Sequence, residues 1–210
     1  MRESLIDRGI SRPLACFEAA NLAFSYPDVD LLRGLSFAIK PGLTLVRGGG
    51  GRGKRTLLRL IAGELKPKSG AVLYCPDTLS FESPADQASD DIIARDWLAA
   101  RRHRFASWQV VIAAELIQGF GLTEHMTKPM YMLSTGSRRK VGWVVAAASM
   151  AELTLIDRPF AALDAKSCRL LAQLLAEAAA SPNRAWVIAD YELPAWLAGV
   201  PLSGVIDLGD

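Results

Sequence analysis

A glycine-rich segment at residues 48–56 sets the strongest limit on how this chain can fold. Gly48 and Gly53 stand where a phosphate-binding loop makes its tight turns, and Lys54 stands where such a loop places the lysine that reaches terminal phosphates. Glycines also let neighbouring backbone N–H groups converge on one anion. The segment therefore predicts a phosphate-binding loop, whose residues are Gly48, Gly49, Gly50, Gly51, Arg52, Gly53, Lys54, Arg55 and Thr56.

The residues on either side of this segment support the same interpretation. Residues 43–46, Leu-Thr-Leu-Val, predict a short buried strand, and apolar residues at 57, 58, 60 and 61 recur at helical spacing. A strand, a glycine loop and a helix in this order place a phosphate at the N-terminus of the helix. This context favours a phosphate site over a glycine-rich surface turn.

Arg55 departs from the ordinary pattern of such a loop. The residue after the lysine normally supplies a hydroxyl ligand to Mg²⁺, whereas here the nearest hydroxyl, on Thr56, comes one position later. As a substitute, the guanidinium would lie against the β and γ phosphates, an attraction of about 4 kcal/mol for unit charges about 4 Å apart at an effective dielectric constant of about 20. As an obstacle, its bulk would fill the metal site and exclude nucleotide. We favour the substitute, because the glycines and Lys54 are retained.

Composition limits the remaining possibilities. A chain of 210 residues fits one domain of moderate size with room for an inserted subdomain. Its net charge of +2 makes no case for a nucleic-acid partner. The three cysteines stand too far apart to form a metal site, so buried thiols in a reducing compartment are expected. The sequence has neither a signal peptide nor a run long enough to span a membrane, so we expect a soluble chain.

Strand and helix patterns alternate along the chain. Residues 16–24 and 35–39 alternate apolar and polar side chains, as half-buried antiparallel strands do. Strands that alternate with helices, as in the second half, favour a parallel sheet covered on both faces. The predicted strands lie at 16–24, 35–39, 43–46, 71–75, 153–156 and 185–189, and helices beyond the loop lie at 92–105, 108–120, 138–150 and 166–180.

Four further segments resemble the nucleotide-binding domain of the ATP-binding cassette (ABC) family. The strand that ends in Asp157 resembles the Walker B strand, residues 161–164 resemble the D-loop through Asp164, and Tyr26 occupies the place of the aromatic residue that stacks on adenine. The fourth segment is similar to the family signature L-S-G-G-Q and comprises Leu133, Ser134, Thr135, Gly136 and Ser137. The order and spacing of these segments carry the resemblance, which covers about residues 14–208.

The resemblance implies an α/β fold with a P-loop NTPase core and a mainly parallel sheet, an N-terminal antiparallel β-subdomain and an inserted α-helical subdomain. It implies one nucleotide-binding domain over residues 1–210. Its parts would be a polar tail at 1–12, an ATP-binding core at 13–85 and 150–210, and a helical subdomain with the signature at 86–149. In size the chain is similar to single-domain transporter subunits, including the haem-export type.

The resemblance also implies ligands and partners. ATP is the implied ligand, and Asp157 is the remaining candidate to bind Mg²⁺ in a ligand set that looks impaired. Family members pair head to tail, so that a helix N-terminus after Ser134 would offer N–H groups to the partner's terminal phosphate. A second cassette, identical or different, and a transmembrane permease are the implied partners. The implied location is cytoplasmic, peripheral on the inner face of the cell membrane.

The catalytic positions depart from the family pattern. Arg158 stands where the family has a glutamate that polarises the attacking water, and losing a positioned base typically costs about 10²–10⁴ in rate. Tyr191 stands where the family has histidine, and its phenol is neutral at neutral pH. The family glutamine that should follow the strand at 71–75 is replaced by Pro76 and Asp77.

These observations lead to one preferred function and two alternatives. We expect an ATP-binding subunit of an ABC-type transporter, which binds nucleotide at a cassette dimer interface with weak or absent hydrolysis at its own site. The first alternative is a non-hydrolysing regulatory or structural nucleotide-binding module. The second is an active ATPase that uses a non-standard base in place of Arg158. Two arginines at catalytic positions are also compatible with an inactivated site.

Overall fold

The computed structural model describes residues 15–82 and 90–209. The predicted tail at 1–12 lies outside the described residues, as does the stretch 83–89, where the sequence predicts a polar connection and the start of a helical subdomain. The strands are β1 (Phe17–Tyr26), β2 (Val29–Ile39), β3 (Gly42–Arg47), β4 (Ser69–Tyr74), β5 (Leu79–Glu82), β6 (Leu153–Asp157), β7 (Ala185–Ala189) and β8 (Gly204–Asp207). The helices are α1 (Lys54–Ile61), α2 (Ala94–Arg102), α3 (Val110–Gly119), α4 (Thr135–Ala148) and α5 (Ala165–Ala179).

A parallel sheet of five strands, in the order β5-β6-β7-β3-β8, forms the centre of the molecule. Every residue of β6 and of β7 is buried. Continuous burial is expected of strands that are covered on both faces, and it explains why their sequences read as unbroken apolar runs. The predicted α/β fold with a mainly parallel sheet is confirmed.

A second sheet, in the order β2-β1-β4, is antiparallel. Tyr26 pairs with Val29, so only Pro27 and Asp28 separate β1 from β2. The second strand therefore begins at Val29 rather than at residue 35, where the alternating pattern becomes clear. The predicted N-terminal antiparallel sheet is confirmed, and β4 joins it instead of the central sheet.

The strands β5 and β8 were not predicted from the sequence. Each has four residues and lies at an edge of the parallel sheet, where one neighbouring strand is enough to hold it. Because β5 follows β4 and pairs with β6, Pro76 and Asp77 do not lead directly into the helices. The expectation that these two residues replace the family glutamine stays a prediction.

Two hydrophobic clusters lie against opposite faces of the parallel sheet. Successive residues of β7 alternate between them, since Trp186 and Ile188 belong to the helical side and Val187 to the side of α1 and the antiparallel sheet. Glycine at position 142 permits a close contact between α4 and β5, because a Cβ there would lie 2.6 Å from Oε2 of Glu82. The division into core and helical subdomain remains a prediction.

Two further observations concern the surface. All three cysteines are free thiols, and Cys75 is exposed, contrary to the expectation of buried thiols. Among the described residues, none of the helices combines the length and the apolar composition needed to cross a bilayer.

Candidate functional site

The predicted phosphate-binding loop lies between β3 and α1, as the sequence indicates. Gly51 and Gly53 have φ angles of 75° and 91°, which L side chains rarely adopt. A Cβ at Gly53 would also lie only 2.8 Å from Cγ of Leu31. The Lys54 ammonium donates to the carbonyl oxygen of Gly49 at 2.8 Å and to that of Gly48. The lysine therefore lies within its own loop, hydrogen-bonded to two of the loop carbonyls.

Arg55 forms an ion pair with Asp157 at the carboxyl end of β6. The Arg55 Nε donates to Asp157 Oδ2 at 2.8 Å, and the side chains are 46% and 7% exposed, respectively. Parallel strands bring the residues after β3 and at the end of β6 to the same edge of the sheet, so α1 places position 55 opposite the carboxylate. Arg55 is thus hydrogen-bonded to Asp157, the carboxylate that the sequence analysis gives as the candidate metal ligand.

Arg158 and Tyr191 follow β6 and β7 at this same edge. Arg158 has a left-handed φ of 53°, and its backbone N–H donates to the carbonyl oxygen of Ala189 at 2.8 Å. The ring of Tyr191 is 55% exposed, with Lys54 Nζ 4.4 Å from its centroid and the Arg158 guanidinium carbon 6.0 Å from it. The aromatic face therefore lies beside two cations.

Arg139, on the second turn of α4, was not predicted as a site residue. Its guanidinium donates to the carbonyl oxygen of Asp157 at 2.9 Å and to that of Arg158, while its buried Nε has no partner within the part of the chain described. Burial lowers the pKa of Arg139, and the neighbouring cations Arg158 and Arg55 lower it further, against the opposite effect of Asp157. Three consecutive cations after the signature are the sequence signal that could have identified it.

Residues of the phosphate loop, of α4 and of the carboxyl ends of β6 and β7 line an open cleft of about 650 Å³. Tyr26 lines one end together with Val29 and Leu31, so the predicted adenine-stacking residue lies at the same cleft as the phosphate loop. Among the described residues that line it, one side chain is a carboxylate, that of Asp157, and five are cations. The cationic residues are Arg52, Lys54, Arg55, Arg139 and Arg158. The cleft therefore has the charge and the aromatic wall that suit a nucleoside polyphosphate.

The signature segment forms the start of α4, three residues earlier than the predicted helix. Ser134 is the N-cap, and its Oγ accepts a hydrogen bond of 3.1 Å from the backbone N–H of Ser137. Gly136 packs on the carbonyl of Ala162, to which a Cβ would approach within 2.3 Å. Thr135 lines the cleft of its own chain, whereas the other signature residues, Leu133, Ser134, Gly136 and Ser137, are not among the cleft-lining residues.

Asp164, the predicted D-loop residue, caps α5. Its carboxylate accepts from the backbone N–H and the hydroxyl of Ser167, both at 2.8 Å, and from the Lys140 ammonium at 2.6 Å. These hydrogen bonds hold the pKa of Asp164 well below its ordinary value, the bond from Lys140 first. Asp164 therefore connects α4 to α5 rather than lining the cleft.

The described residues contain no group of three or more Asp, Glu, His or Cys side chains that could hold a metal ion. Thr56, the nearest hydroxyl to the lysine of the loop, is buried with 7% of its surface exposed. Asp157 is thus the candidate metal ligand in the cleft, and its Oδ2 already accepts from Arg55.

Comparison with known proteins agrees with this site. A family model described as ABC transporter matches residues 32–161, more than half of the chain, and includes both the phosphate loop and Asp157. The chain belongs to the ABC transporter family and corresponds to its nucleotide-binding domain.

Individual relatives differ in what their names describe. The chain is 29% identical to the cytochrome c biogenesis ATP-binding export protein CcmA of Legionella pneumophila, over 84% of this chain and 94% of that protein. It is 33% identical to the Fe(3+) ions import ATP-binding protein FbpC 2 of Rhodococcus jostii, over 74% of this chain but 50% of that protein. The chain spans only 50% to 60% of the length of several curated relatives.

Solved structures show the same fold. One described as the ATP binding subunit of an ABC transporter superposes with a TM-score of 0.74 at 19% sequence identity, covering 85% of this chain and 80% of that one. At such an identity the likeness concerns the fold alone.

Proposed function

We propose that this chain is an ATP-binding subunit of an ABC-type transporter that holds nucleotide mainly through its phosphates and hydrolyses it weakly or not at all at its own site. The observation that carries the proposal is the ion pair between Arg55 and Asp157, at 2.8 Å, on the floor of a cleft lined by cations. The cation stands where the family pattern has a metal-binding hydroxyl. The site therefore retains the means to bind phosphate and lacks the usual means to bind magnesium.

Lys54 and the loop glycines would bind the phosphates. The Lys54 ammonium donates to the carbonyl oxygens of Gly48 and Gly49. A phosphate oxygen carries more negative charge than a carbonyl oxygen and would replace them as the acceptor. The free N–H groups at the start of α1 add a partial positive charge. Tyr26, 43% exposed at the end of β1, would then stack on the base.

The residues of the cleft do not fit a resident Mg²⁺. Position 55 offers no hydroxyl, and Asp157 would have to give up its bond to Arg55 before it could bind a cation. The Arg55 side chain is 46% exposed, so its remaining N–H groups can turn toward phosphate oxygens while Nε stays on Asp157. In this proposal Arg55 neutralises the phosphates in place of the metal.

Weak hydrolysis follows from the groups around the position of the attacking water. Arg158 stands in place of a carboxylate base, and the carboxylate of Asp157 accepts from Arg55. The ring of Tyr191 faces Lys54 and Arg158. Without a positioned base, the rate would fall by about 10²–10⁴ relative to an intact site.

The partners in this proposal are a second cassette and a transmembrane permease, and the location is cytoplasmic at the inner face of the cell membrane. The capped start of α4, with Thr135 exposed, would present N–H groups to a partner's phosphate. Relatives named for export and for import both resemble the chain. Neither the cargo nor the direction of transport is therefore part of the proposal.

Calorimetric titration with ATP tests the proposal. We expect saturable binding to the intact chain with and without Mg²⁺. The variant Lys54→Ala should bind at least about tenfold more weakly, because a charge-assisted hydrogen bond is lost. The variant Lys66→Ala removes an exposed lysine outside the cleft and serves as the control. Absence of binding, or single-turnover hydrolysis as fast as that of an intact cassette, would contradict the proposal.

A further inference from the structure

Arg158 combines a firmly held backbone with an exposed side chain. Its φ angle of 53° lies in the left-handed region, which residues other than glycine rarely adopt. Its N–H donates to the carbonyl oxygen of Ala189 at 2.8 Å, and its own carbonyl oxygen accepts from the N–H of Ala161 at 3.2 Å and from the Arg139 guanidinium. Backbone strain that the surrounding structure holds in this way concentrates at ligand-binding and active sites.

The guanidinium of Arg158 lies in the nucleotide cleft without an acidic partner. Arg158 is exposed and lines the cleft, and within residues 15–82 and 90–209 its guanidinium forms neither a hydrogen bond nor an ion pair. The neighbouring carboxylate, that of Asp157, accepts from Arg55 instead. A guanidinium presents a planar fork of N–H donors that matches a phosphate group. The side chain of Arg158 is therefore available to an anionic ligand in the cleft.

Arg158 lies at the end of the cleft that suits the terminal phosphate of a nucleotide. The Lys54 Nζ is 4.4 Å from the centroid of the Tyr191 ring, and the Arg158 guanidinium carbon is 6.0 Å from the same centroid. The lysine of a phosphate loop is the residue that reaches the terminal phosphates. Tyr26, the proposed partner of the base, lines the opposite end of the cleft. Lengthening the phosphate chain therefore extends the ligand toward Arg158.

We propose that Arg158 is a specificity-determining residue, which makes the cleft prefer a nucleoside triphosphate to a diphosphate. This inference rests on the proposed function, since it requires a nucleotide in the cleft. The guanidinium would donate to oxygens of the third phosphate, which a diphosphate lacks. Lys54 and the N–H groups of the loop would bind the phosphates that both ligands share. The glutamate of the family pattern would oppose the charge of the third phosphate instead of attracting it.

Calorimetric titrations of the whole chain with ATP and with ADP, both without Mg²⁺, measure this preference. The intact chain should bind ATP at least about tenfold more tightly than ADP, because one more charged contact forms. In Arg158→Gln the affinity for ATP should fall at least about tenfold, while the affinity for ADP should change less than about threefold. Arg158→Lys keeps the charge without the planar fork, so it should retain part of the preference.

A matched variant outside the cleft controls for the loss of one positive charge. Arg33→Gln also removes an exposed arginine, but this residue lies on β2 and does not line the cleft, so both affinities should stay unchanged. Arg158→Glu reverses the charge and should weaken ATP more than Arg158→Gln does. Because ADP avoids the proposed contact, its retained affinity also shows that each variant is folded.

The outcomes distinguish this inference from the proposed function on which it rests. If the intact chain binds ATP no more tightly than ADP, or if Arg158→Gln changes both affinities by the same factor, the inference alone fails. If the intact chain binds neither nucleotide, the proposed function fails and the inference fails with it. Weakening of ATP alone in Arg158→Gln, with partial recovery in Arg158→Lys, would support both.

Discussion

Arg55 is the single residue on which the proposed chemistry of the nucleotide cleft depends. The sequence left two roles for it, a substitute for the metal charge or an obstacle to nucleotide. In the structure its Nε lies on Asp157, and the cleft beside it keeps a volume of about 650 Å³. Because the Arg55 side chain lies against Asp157, it leaves the cleft open for a nucleotide, which supports its role as a substitute for the metal charge.

Restoring the hydroxyl at position 55 should restore a response to magnesium. ATP affinity of the intact chain should change less than about threefold when Mg²⁺ is replaced by a chelator, since the guanidinium stays in place. In Arg55→Ser the carboxylate of Asp157 is released and a hydroxyl ligand appears, so Mg²⁺ should strengthen ATP binding about tenfold or more. Calorimetric titrations with and without the chelator measure both effects.

A matched variant on the same helix checks that the effect belongs to position 55. Arg59→Ser also removes an arginine from α1, but this side chain pairs with Glu64 outside the cleft. Its magnesium response should equal that of the intact chain. A steep loss of affinity on chelation in the unaltered chain would show that a metal is bound despite Arg55.

The helix α5 begins after Asp164, a residue that resembles the family D-loop and has a capping role in the structure. Asp164 was predicted from its resemblance to the D-loop, and it is the N-cap that joins α5 to Lys140 of α4. A cap that also accepts a charged hydrogen bond favours the ionised carboxylate, which is why the pKa of Asp164 lies below its ordinary value.

Replacing Asp164 should destabilise the protein in a pH-dependent way. Asp164→Ala should lower the free energy of unfolding by about 1 kcal/mol near neutral pH, because the cap is lost. Asp164→Asn keeps a capping oxygen and should cost less. Since the folded-state pKa is lowered, the advantage of the ionised form is fully present above the ordinary pKa of about 3.9 and is lost gradually as the pH falls from there through the lower pKa of the folded state.

Urea unfolding at about pH 7 and about pH 3 measures this difference. The gap between the intact chain and Asp164→Asn should narrow at the lower pH, because the unfolded chain then binds the proton while the folded carboxylate is still ionised. Asp77→Asn, at an exposed position outside the helices, is the control. A gap of the same size at both pH values would mean that the charge of Asp164 contributes nothing.

In the molecule as a whole, the start of α4 and the nucleotide cleft are separate regions. The proposal gives the cleft the binding of nucleotide and the start of α4 the contact with a partner's nucleotide. The segment at Ser134 has a capping hydroxyl and close packing at Gly136, whereas in the proposed function Arg158 and Arg55 stand where the family pattern has a glutamate and a hydroxyl. In the proposed pairing, the intact segment would complete the site of a partner cassette. An asymmetric dimer with one active site would follow.

Mixing the chain with a cassette whose catalytic residues are complete tests this pairing. The ATPase rate of the partner should rise with the concentration of the chain. Gly136→Asp should abolish the stimulation, because a side chain there meets the carbonyl of Ala162 and its charge opposes phosphate. Lys54→Ala should retain it if only the α4 segment acts on the partner's nucleotide. Failure of every candidate cassette to respond would leave the pairing without support.

Much of this molecule could be predicted from local pattern. The phosphate loop, the buried strands β6 and β7 and the capped α4 all follow from rules that act within about ten residues: glycine at turns, unbroken apolar runs in covered strands, and serine before a helix. The edge strands β5 and β8 were missed because four residues carry too little pattern, and one neighbouring strand provides their hydrogen bonds.

The electrostatics of the nucleotide cleft depended on contacts between distant parts of the chain. Arg55 meets Asp157 across 102 positions, and Arg139 reaches the end of β6 from α4, because the parallel sheet brings its carboxyl ends to one edge. Nothing near Arg184 in the sequence indicates that one of its terminal nitrogens will be buried with no hydrogen-bond partner among the described residues. Residue type and spacing determine which groups can bind phosphate, while packing determines which charges are paired before any ligand arrives, since pairing depends on distance in space.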